Sequence, residues 1–250
     1  DCIWSGGRIS YEDSEPENVF ALMKEYNISS RLTFSNSLIE EKNLSDIKCN
    51  ELCRLLNLDK NNGIIIHSDL LMKYLKRKYP NLYFVSSTTK VLTDFNDFKK
   101  EVENPDFKYV VPDFRLNKQF EKLNSLSEVY KQKVEFLCNE CCWYGCKDRK
   151  ECYKTVSKQN LGINCMDYVC KAPHSNEGYR FSRVMESPGF ISLDDILKVY
   201  VPMGFSNFKI EGRDLGNALL LEFILYYMVK PQYQIHVREE MYLDTMLDLF

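Results

Sequence analysis

Residues 63–88, GIIIHSDLLMKYLKRKYPNLYFVSST, decide the fold class of this chain. Gly63–Ser68 is an apolar run with almost no polar interruption, and Leu82–Thr88 is a second β-rich run. Between them, Asp69–Tyr79 is predicted to be a helix that stops at Pro80. A strand that is apolar on both faces is typical of a parallel sheet covered by helices. The stretch therefore predicts two parallel strands joined by a crossover helix.

The same alternation continues over the rest of the chain. Eight strands are predicted, near residues 1–4, 30–36, 63–68, 82–88, 108–113, 133–139, 180–186 and 207–213. Helices are predicted at Pro16–Tyr26, Ser45–Leu56, Asp69–Tyr79, Asp94–Glu103, Asn117–Ser125, Asp148–Lys158, Ser192–Val201 and Leu215–Val229. Eight β/α units predict an α/β protein with a (β/α)8 TIM-like barrel. A doubly wound open sheet is the alternative, although no G-x-G-x-x-G motif follows any strand.

The domain organisation is predicted to be a single domain over residues 1–250. The cysteine-rich segment 138–170 is an insertion after strand six of the predicted barrel. A hydrophobic content of 44% and an aromatic content of 13% are ample for one core. The residues after Phe190 could instead form a small separate lobe.

Charge and hydropathy limit the partners that we expect. The net charge of −3 provides no basic field that would attract nucleic acid. The chain has no hydrophobic signal segment and no run of about 18 apolar residues, so no membrane association is expected. The sequence starts at Asp1 rather than at a Met, which suggests a trimmed or fragmentary chain. We expect a cytoplasmic protein with a small-molecule or peptide substrate, and a protein partner as a further option.

The clustering of cysteines is the strongest chemical signal. Seven of the ten cysteines lie within residues 138–170, which indicates a soft metal, a disulfide framework or thiols with no common role. The pairs Cys142-x3-Cys146 and Cys165-x4-Cys170 do not have zinc-ribbon spacing. An iron–sulfur cluster accepts looser spacing. Cys2 is a candidate remote ligand, because a strand there would end on the same face.

The remaining cysteines have simpler interpretations. Cys138, Cys141 and Cys152 are spare if the two pairs bind a metal. Cys49 and Cys53 lie four residues apart on a predicted helix, and we interpret them as buried helix-face residues.

Polar residues follow most of the predicted strands, at the end where the active site of a barrel would lie. We predict catalytic roles for His67, Asp113, Glu211 and Arg213. Substrate-binding roles are predicted for Arg8, Asn36, Ser87, Thr88 and Asn139. His67 could be a general base, a metal ligand or a core histidine, and His174 is expected at the surface. No Ser-His-Asp or Cys-His order supports a hydrolase.

The segment Phe208-Lys-Ile-Glu-Gly-Arg213, followed by a helix, resembles the signature of the peptidase U32 family. A Val-Glu strand before a cysteine-bearing loop, and the Ser192–Leu197 helix before the signature, follow the same order. The resemblance implies a (β/α)8-like barrel and a [4Fe-4S] cluster. The implied ligands are Cys142, Cys146, Cys165 and Cys170, with Cys2 able to replace one. Glu211 and Arg213 are the signature residues, either functional or a buried pair that braces the barrel.

Three functional hypotheses remain open at this stage. The first is an iron–sulfur enzyme for oxygen-independent hydroxylation or another redox modification of a small molecule or peptide. The second is a peptidase, for which no nucleophile–base pair or H-E-x-x-H motif is evident. The third is a non-catalytic subunit whose cluster is structural. RNA modification is a weaker option because of the acidic charge balance.

Overall fold

The computed structural model describes residues 2–6, 16–173, 175–212 and 215–247, and residues 243–247 by their backbone alone. The strands are β1 Arg31–Phe34, β2 Gly63–Ile66, β3 Tyr83–Ser86, β4 Tyr109–Val110, β5 Glu135–Leu137 and β6 Asn207–Lys209. The helices are α1 Pro16–Glu25, α2 Ile47–Leu56, α3 Asp69–Lys78, α4 Phe95–Glu103, α5 Phe120–Asn124, α6 Glu128–Lys131, α7 Arg149–Asn160, α8 Phe181–Met185, α9 Leu193–Asp195, α10 Asn217–Met228 and α11 Gln234–Leu247. A π-helical turn, Ile196–Tyr200, continues α9.

The strands are parallel and follow one another in space in chain order. β1, β2, β3 and β4 form one sheet, and β5 and β6 form a second pair. An isolated parallel bridge between Val110 and Val134 joins the two groups. The chain is therefore an α/β protein with a parallel sheet in sequential order. In the described part of the chain the strands do not close into a barrel.

Side-chain caps determine where several helices begin. Asp46 accepts a hydrogen bond from the backbone N–H of Cys49 at 2.8 Å, and Ser68 accepts one from Leu71 at 3.2 Å. Each cap satisfies a backbone donor that the first helical turn leaves without a partner. The predicted starts of α2 and α3 are thus confirmed.

The two faces of the sheet have different surroundings. Alternate strand residues such as Phe34, Ile64 and Phe84 belong to the main core, together with buried residues of α2, α3 and α4. The residues between them face the other way, and Ile65, Val85, Val111 and Leu137 form a separate small cluster there. Successive side chains of a strand point to opposite faces, so strand position alone separates the two groups.

An aromatic cluster connects the second pair of strands to the core. The ring of Phe136 on β5 lies 4.9 Å from that of Tyr200, 5.1 Å from that of Phe205 and 6.2 Å from that of Phe208 on β6. Because β5 and β6 pair over only three residues each, ring packing is a large part of what holds β6 in place.

Two of the predicted strands are wrong. Residues 2–6 form turns, with the N–H of Ser5 bonded to the carbonyl of Cys2 at 3.0 Å. The predicted strand at 180–186 is helix α8. Phe181 and Val184 are three residues apart, so a helix turns both inward, and the ring of Phe181 packs 4.8 Å from that of Phe223 on α10. The described residues therefore contain six strands rather than eight.

Helix α10 is apolar on most sides, but it is only 12 residues long. Phe223 and Leu225 are buried, whereas Met228 is 73% exposed. Among the described residues, no helix has both the length and the apolar character needed to cross a membrane.

Candidate functional site

The strand register brings most of the predicted site residues to one edge of the sheet. Ile65, Val85, Val111 and Leu137 make up the small second-face cluster. Each of them is followed, two positions later, by a polar residue; in the same order these are His67, Ser87, Asp113 and Asn139. A step of two residues keeps a side chain on the same face and moves it toward the carboxyl end of its strand. We call these four residues and Glu211 the strand-end layer.

Glu211 joins this layer through Asn139. The Asn139 amide donates to the Glu211 carbonyl at 3.0 Å, and its side-chain oxygen accepts from the Glu211 N–H at 2.7 Å. The carboxylate of Glu211 accepts a hydrogen bond from the backbone N–H of Cys141 at 3.1 Å. Glu211 therefore connects the end of β6 to the start of the cysteine segment.

Asp113 lies at the centre of a buried ionic network. It is fully buried and accepts hydrogen bonds from Arg115 Nε at 2.7 Å and Arg149 Nη1 at 2.9 Å. Burial alone would raise the pKa of Asp113, but the hydrogen bonds from Arg115 and the charge of Arg149 outweigh it and lower the pKa. Asp113 is thus held as a carboxylate, which does not suit it as a proton acceptor at neutral pH.

Arg149, the first residue of α7, holds that helix against the strand ends. It is 2% exposed, binds Asp113, contacts Glu140 through Nη2 and also donates to Tyr153 Oη at 2.9 Å. A positive charge at a helix N-terminus is unfavourable to the helix dipole, so the two carboxylates offset both this effect and the desolvation of Arg149. The Nε atom of Arg149 is buried without a hydrogen-bond partner.

Glu140, Cys141 and Glu211 form a compact group of oxygen and sulfur donors. One donor atom from each lies within 4.8 Å of the others, and in the described ranges no other group of three or more metal-binding side chains meets this condition. Burial and, second, the charge of Glu140 raise the pKa of Glu211 to about 7, against the hydrogen bonds from Cys141 and the charge of Arg149, which lower it. The carboxylate of Glu140 also accepts from the N–H of Cys142 at 3.1 Å.

The predicted cysteine ligands of the cysteine segment have different neighbours. Burial is the largest cause of the raised pKa of Cys142, and the nearby Cys146 also raises it. Burial likewise raises the pKa of Cys152 on α7, with smaller contributions from the charges of the nearby Cys170 and Cys146. Cys165 instead contacts the carbonyl of Thr155 at 3.9 Å. The structure thus brings Cys152 toward two of the predicted ligands, Cys146 and Cys170, while the Cys165 thiol contacts the same helix about one turn later.

Cys2 and Asn36 have partners other than the cysteines of the segment 138–170. The Cys2 thiol lies 3.1 Å from the thiol of Cys49. Asn36 is fully buried, and its amide donates to the carbonyls of Ile3 at 2.9 Å and Ser157 at 3.0 Å. Asn36 therefore attaches the N-terminal segment to α7, and its predicted substrate contact stays a prediction.

Two hydroxyl groups predicted to bind substrate follow β3. Ser87 caps a short turn by accepting from the N–H of Thr89 at 3.2 Å, and it also accepts from the Thr89 hydroxyl at 3.0 Å. The hydroxyl of Thr88 is buried without a hydrogen-bond partner. Thr88 is therefore the better of the two for binding a ligand.

His67 is half-buried and paired with a hydroxyl. Its Nδ1 lies 2.8 Å from Thr89 Oγ1. Burial lowers the pKa of His67 to about 4, the charge of Lys90 acts in the same direction, and Asp69 and Glu101 oppose it. The side chain is neutral at pH 7, so it could accept a proton or bind a metal there.

Lowering the pH should therefore weaken the fold through His67. An unfolded histidine has a pKa near 6.5, so between about pH 6.5 and pH 4 the unfolded state binds a proton that the folded state does not. Stability from this group is complete above about pH 6.5 and is lost as the pH falls. Between pH 7 and pH 5 the free energy of unfolding should fall by up to roughly 2 kcal/mol more in the wild type than in His67→Gln, as measured by urea unfolding.

The exposed His236 provides the matched control for this experiment. It is 68% exposed on α11, so His236→Gln should leave the pH dependence of the wild type in place. Equal pH dependence in the wild type and His67→Gln would contradict the assignment of His67 as a neutral buried histidine.

Three residues discussed from the sequence lie outside the described residues: Arg8, His174 and Arg213. The predicted pairing of Glu211 with Arg213 therefore stays a prediction. Sequence reasoning missed Arg149 and Arg115, and it set Cys152 aside. The one signal available was the basic residue directly after Asp148 at the start of a predicted helix, a position that ordinarily favours acidic side chains.

Comparison with known proteins leaves the family of this chain open. No protein-family model matches it, and no curated protein and no solved structure matches it significantly. The resemblance of Phe208–Arg213 to the peptidase U32 signature thus stays a prediction. What the protein does has to be inferred from the geometry of its strand ends and its cysteine segment.

Proposed function

We propose that this protein is an iron–sulfur enzyme built on a TIM-like (β/α)8 framework. Six parallel strands in sequential order support the framework, since a doubly wound sheet reverses its strand order at a switch point. The two faces of the sheet also support the framework: one packs against the helices, and the other carries its own small apolar cluster, as the inner face of a barrel does. The strand-end layer lies at the edge where barrel enzymes carry their active sites.

The observation that carries the proposal is the approach of four thiols above this layer. Cys142 lies near Cys146, and Cys152 lies near Cys146 and Cys170. No three thiols of the described ranges lie within 4.8 Å of one another, whereas the ligands of a single tetrahedral zinc would have to. A cluster of four irons takes ligands that are farther apart than those of one zinc ion, and the looser grouping of these four residues is compatible with it.

The proposed ligand set differs from the predicted one at a single position. Cys152 replaces Cys165, and Cys2 is not needed. A [4Fe-4S] cluster would supply electron transfer or an open Lewis-acid iron.

The protein's own residues would bind and orient the substrate beside the cluster. Thr88 and the Nε of Arg149 are buried polar groups without partners, which suits them to contact a substrate oxygen. His67, neutral at pH 7, is a candidate hydrogen-bond partner of the substrate. The proposed reaction is an oxygen-independent hydroxylation or related redox modification of a small molecule or peptide in the cytoplasm.

The test compares Cys152→Ser with Cys165→Ser after anaerobic purification. We expect about four irons and four sulfides per chain in the wild type, with the brown colour of an iron–sulfur cluster. Cys152→Ser should lose most of the iron and the colour, because a ligand is gone. Cys165→Ser is the matched control and should keep both.

Other results would count against these assignments. Iron lost in Cys165→Ser but kept in Cys152→Ser would restore the predicted ligand set. A wild-type protein with zinc, or with no metal after anaerobic reconstitution, would overturn the iron–sulfur proposal itself.

A non-catalytic, cluster-bearing partner subunit is the second candidate. Met166 is 91% exposed and Val169 is 78% exposed, and both lie on the cysteine segment between Cys165 and Cys170. Large apolar side chains beside a redox centre are typical of a surface that binds another protein. If His67→Gln and Thr88→Val leave the cellular function intact while Cys152→Ser abolishes it, this candidate is favoured.

A further inference from the structure

A second pair of thiols lies apart from the proposed cluster ligands. The sulfur atoms of Cys2 and Cys49 are 3.1 Å apart, although the residues are 47 positions apart in the chain. Cys2 is 2% exposed and Cys49 is fully buried. A disulfide bond measures about 2.05 Å, so the two thiols are unbonded but already in contact.

The surrounding structure holds these thiols in place. Cys49 lies in the first turn of α2, which Asp46 caps through the Cys49 N–H at 2.8 Å. The segment that carries Cys2 is held by the Trp4 indole, which donates to the carbonyl of Asn43 at 2.8 Å, and by Asn36, which donates to the carbonyl of Ile3 at 2.9 Å. Both backbones are therefore fixed from independent directions, and bond formation needs only a small side-chain movement.

A surface cleft lies beside the backbone segments that carry the pair. Its volume is about 510 Å³, and it is lined by residues that include Ile3, Asp46 and Lys48. Ile3 directly follows Cys2, and Lys48 directly precedes Cys49. A chain neighbour of each cysteine thus lines a cleft that is large enough for a small peptide disulfide.

We propose that Cys2 and Cys49 form a reversible intramolecular disulfide by exchange with a small disulfide of the glutathione type. One thiolate attacks the small disulfide and releases the first small thiol. The other protein sulfur then displaces the second small thiol and forms the Cys2–Cys49 bond. Two electrons pass from the protein pair to the small disulfide, and the two protons leave with the two released thiols. The bridge would attach the N-terminal segment covalently to α2.

The test equilibrates the full-length protein with mixtures of reduced and oxidised glutathione, blocks the free thiols and digests with trypsin. We expect the peptide that ends at Arg8 to be linked to peptide 49–54, CNELCR, with fragmentation placing the bond on Cys49. Cys49→Ser should lower the amount of this linked peptide by about tenfold or more, and Cys2→Ser should abolish it. The oxidised wild type should melt roughly 5 °C or more above its reduced form, because the bridge closes a long loop.

Cys53 provides the matched control, since it is buried one turn later on the same helix. Cys53→Ser should still form the linked peptide and show the same rise in melting temperature. Linkage of Cys2 to Cys53 would overturn the proposal. So would a folded protein in which Cys2 and Cys49 stay unlinked although its other thiols have reacted.

Discussion

Arg149→Met is expected to lower the free energy of unfolding by about 3–5 kcal/mol. The guanidinium is 2% exposed and joins Asp113, which is fully buried, to Glu140, which is 7% exposed. Without it, two buried carboxylates have lost a positive partner, and each must remain charged at a cost or take up a proton. Urea unfolding followed by circular dichroism at pH 7 would measure the loss.

The exposed pair Glu51–Arg54 provides the control for this prediction. Its oxygen and nitrogen lie 2.5 Å apart on the surface of α2, with side chains 55% and 57% exposed. Arg54→Met should leave the free energy of unfolding almost unchanged, because water screens the pair. Adding Glu140→Gln to Arg149→Met should recover part of the lost stability. A stable Arg149→Met single variant would show that the buried network does not hold α7 on the strand ends.

The positions of the strands could be predicted because their signal is local. The strands β2 and β3 are short apolar runs next to polar loops, and residues such as Ser68 begin the next helix by capping it. The strand predicted at 180–186 fails for the opposite reason. Its apolar residues also fit a helix, and the choice depends on Phe223, which lies about 40 residues later.

The strand-end layer was predictable for the same local reason. His67, Asp113 and Asn139 follow apolar strands, and residues at the carboxyl ends of parallel strands meet at one edge. The roles of Arg149 and Cys152 could not be predicted this way. They depend on how α7 packs across the strand ends, which involves contacts between residues far apart in the chain.

The position of Glu211 in that layer depends on Phe136. Glu211 follows β6, and β6 pairs with β5 over only three residues. Phe136 packs against Tyr200 at 4.9 Å between ring centroids and against Phe208 of β6 at 6.2 Å. Phe136→Ala would leave a cavity between these rings, and we expect it to lower the free energy of unfolding by about 3–5 kcal/mol.

The same variant should loosen β6 locally before the chain unfolds as a whole. The N–H of Cys138 donates to the carbonyl of Lys209 at 2.9 Å, so its hydrogen exchange reports the β5–β6 pairing directly. Exchange at Cys138 should accelerate more in Phe136→Ala than exchange at Ile65, in the centre of the first sheet. Tyr26→Ala, which truncates an aromatic ring that is 67% exposed, should change neither rate nor stability appreciably. Equal acceleration at both amides would mean that Phe136 supports the whole fold rather than the position of Glu211. Faster exchange at Cys138 alone would show that the aromatic cluster keeps β6, and with it Glu211, beside Asn139 and the cysteine segment.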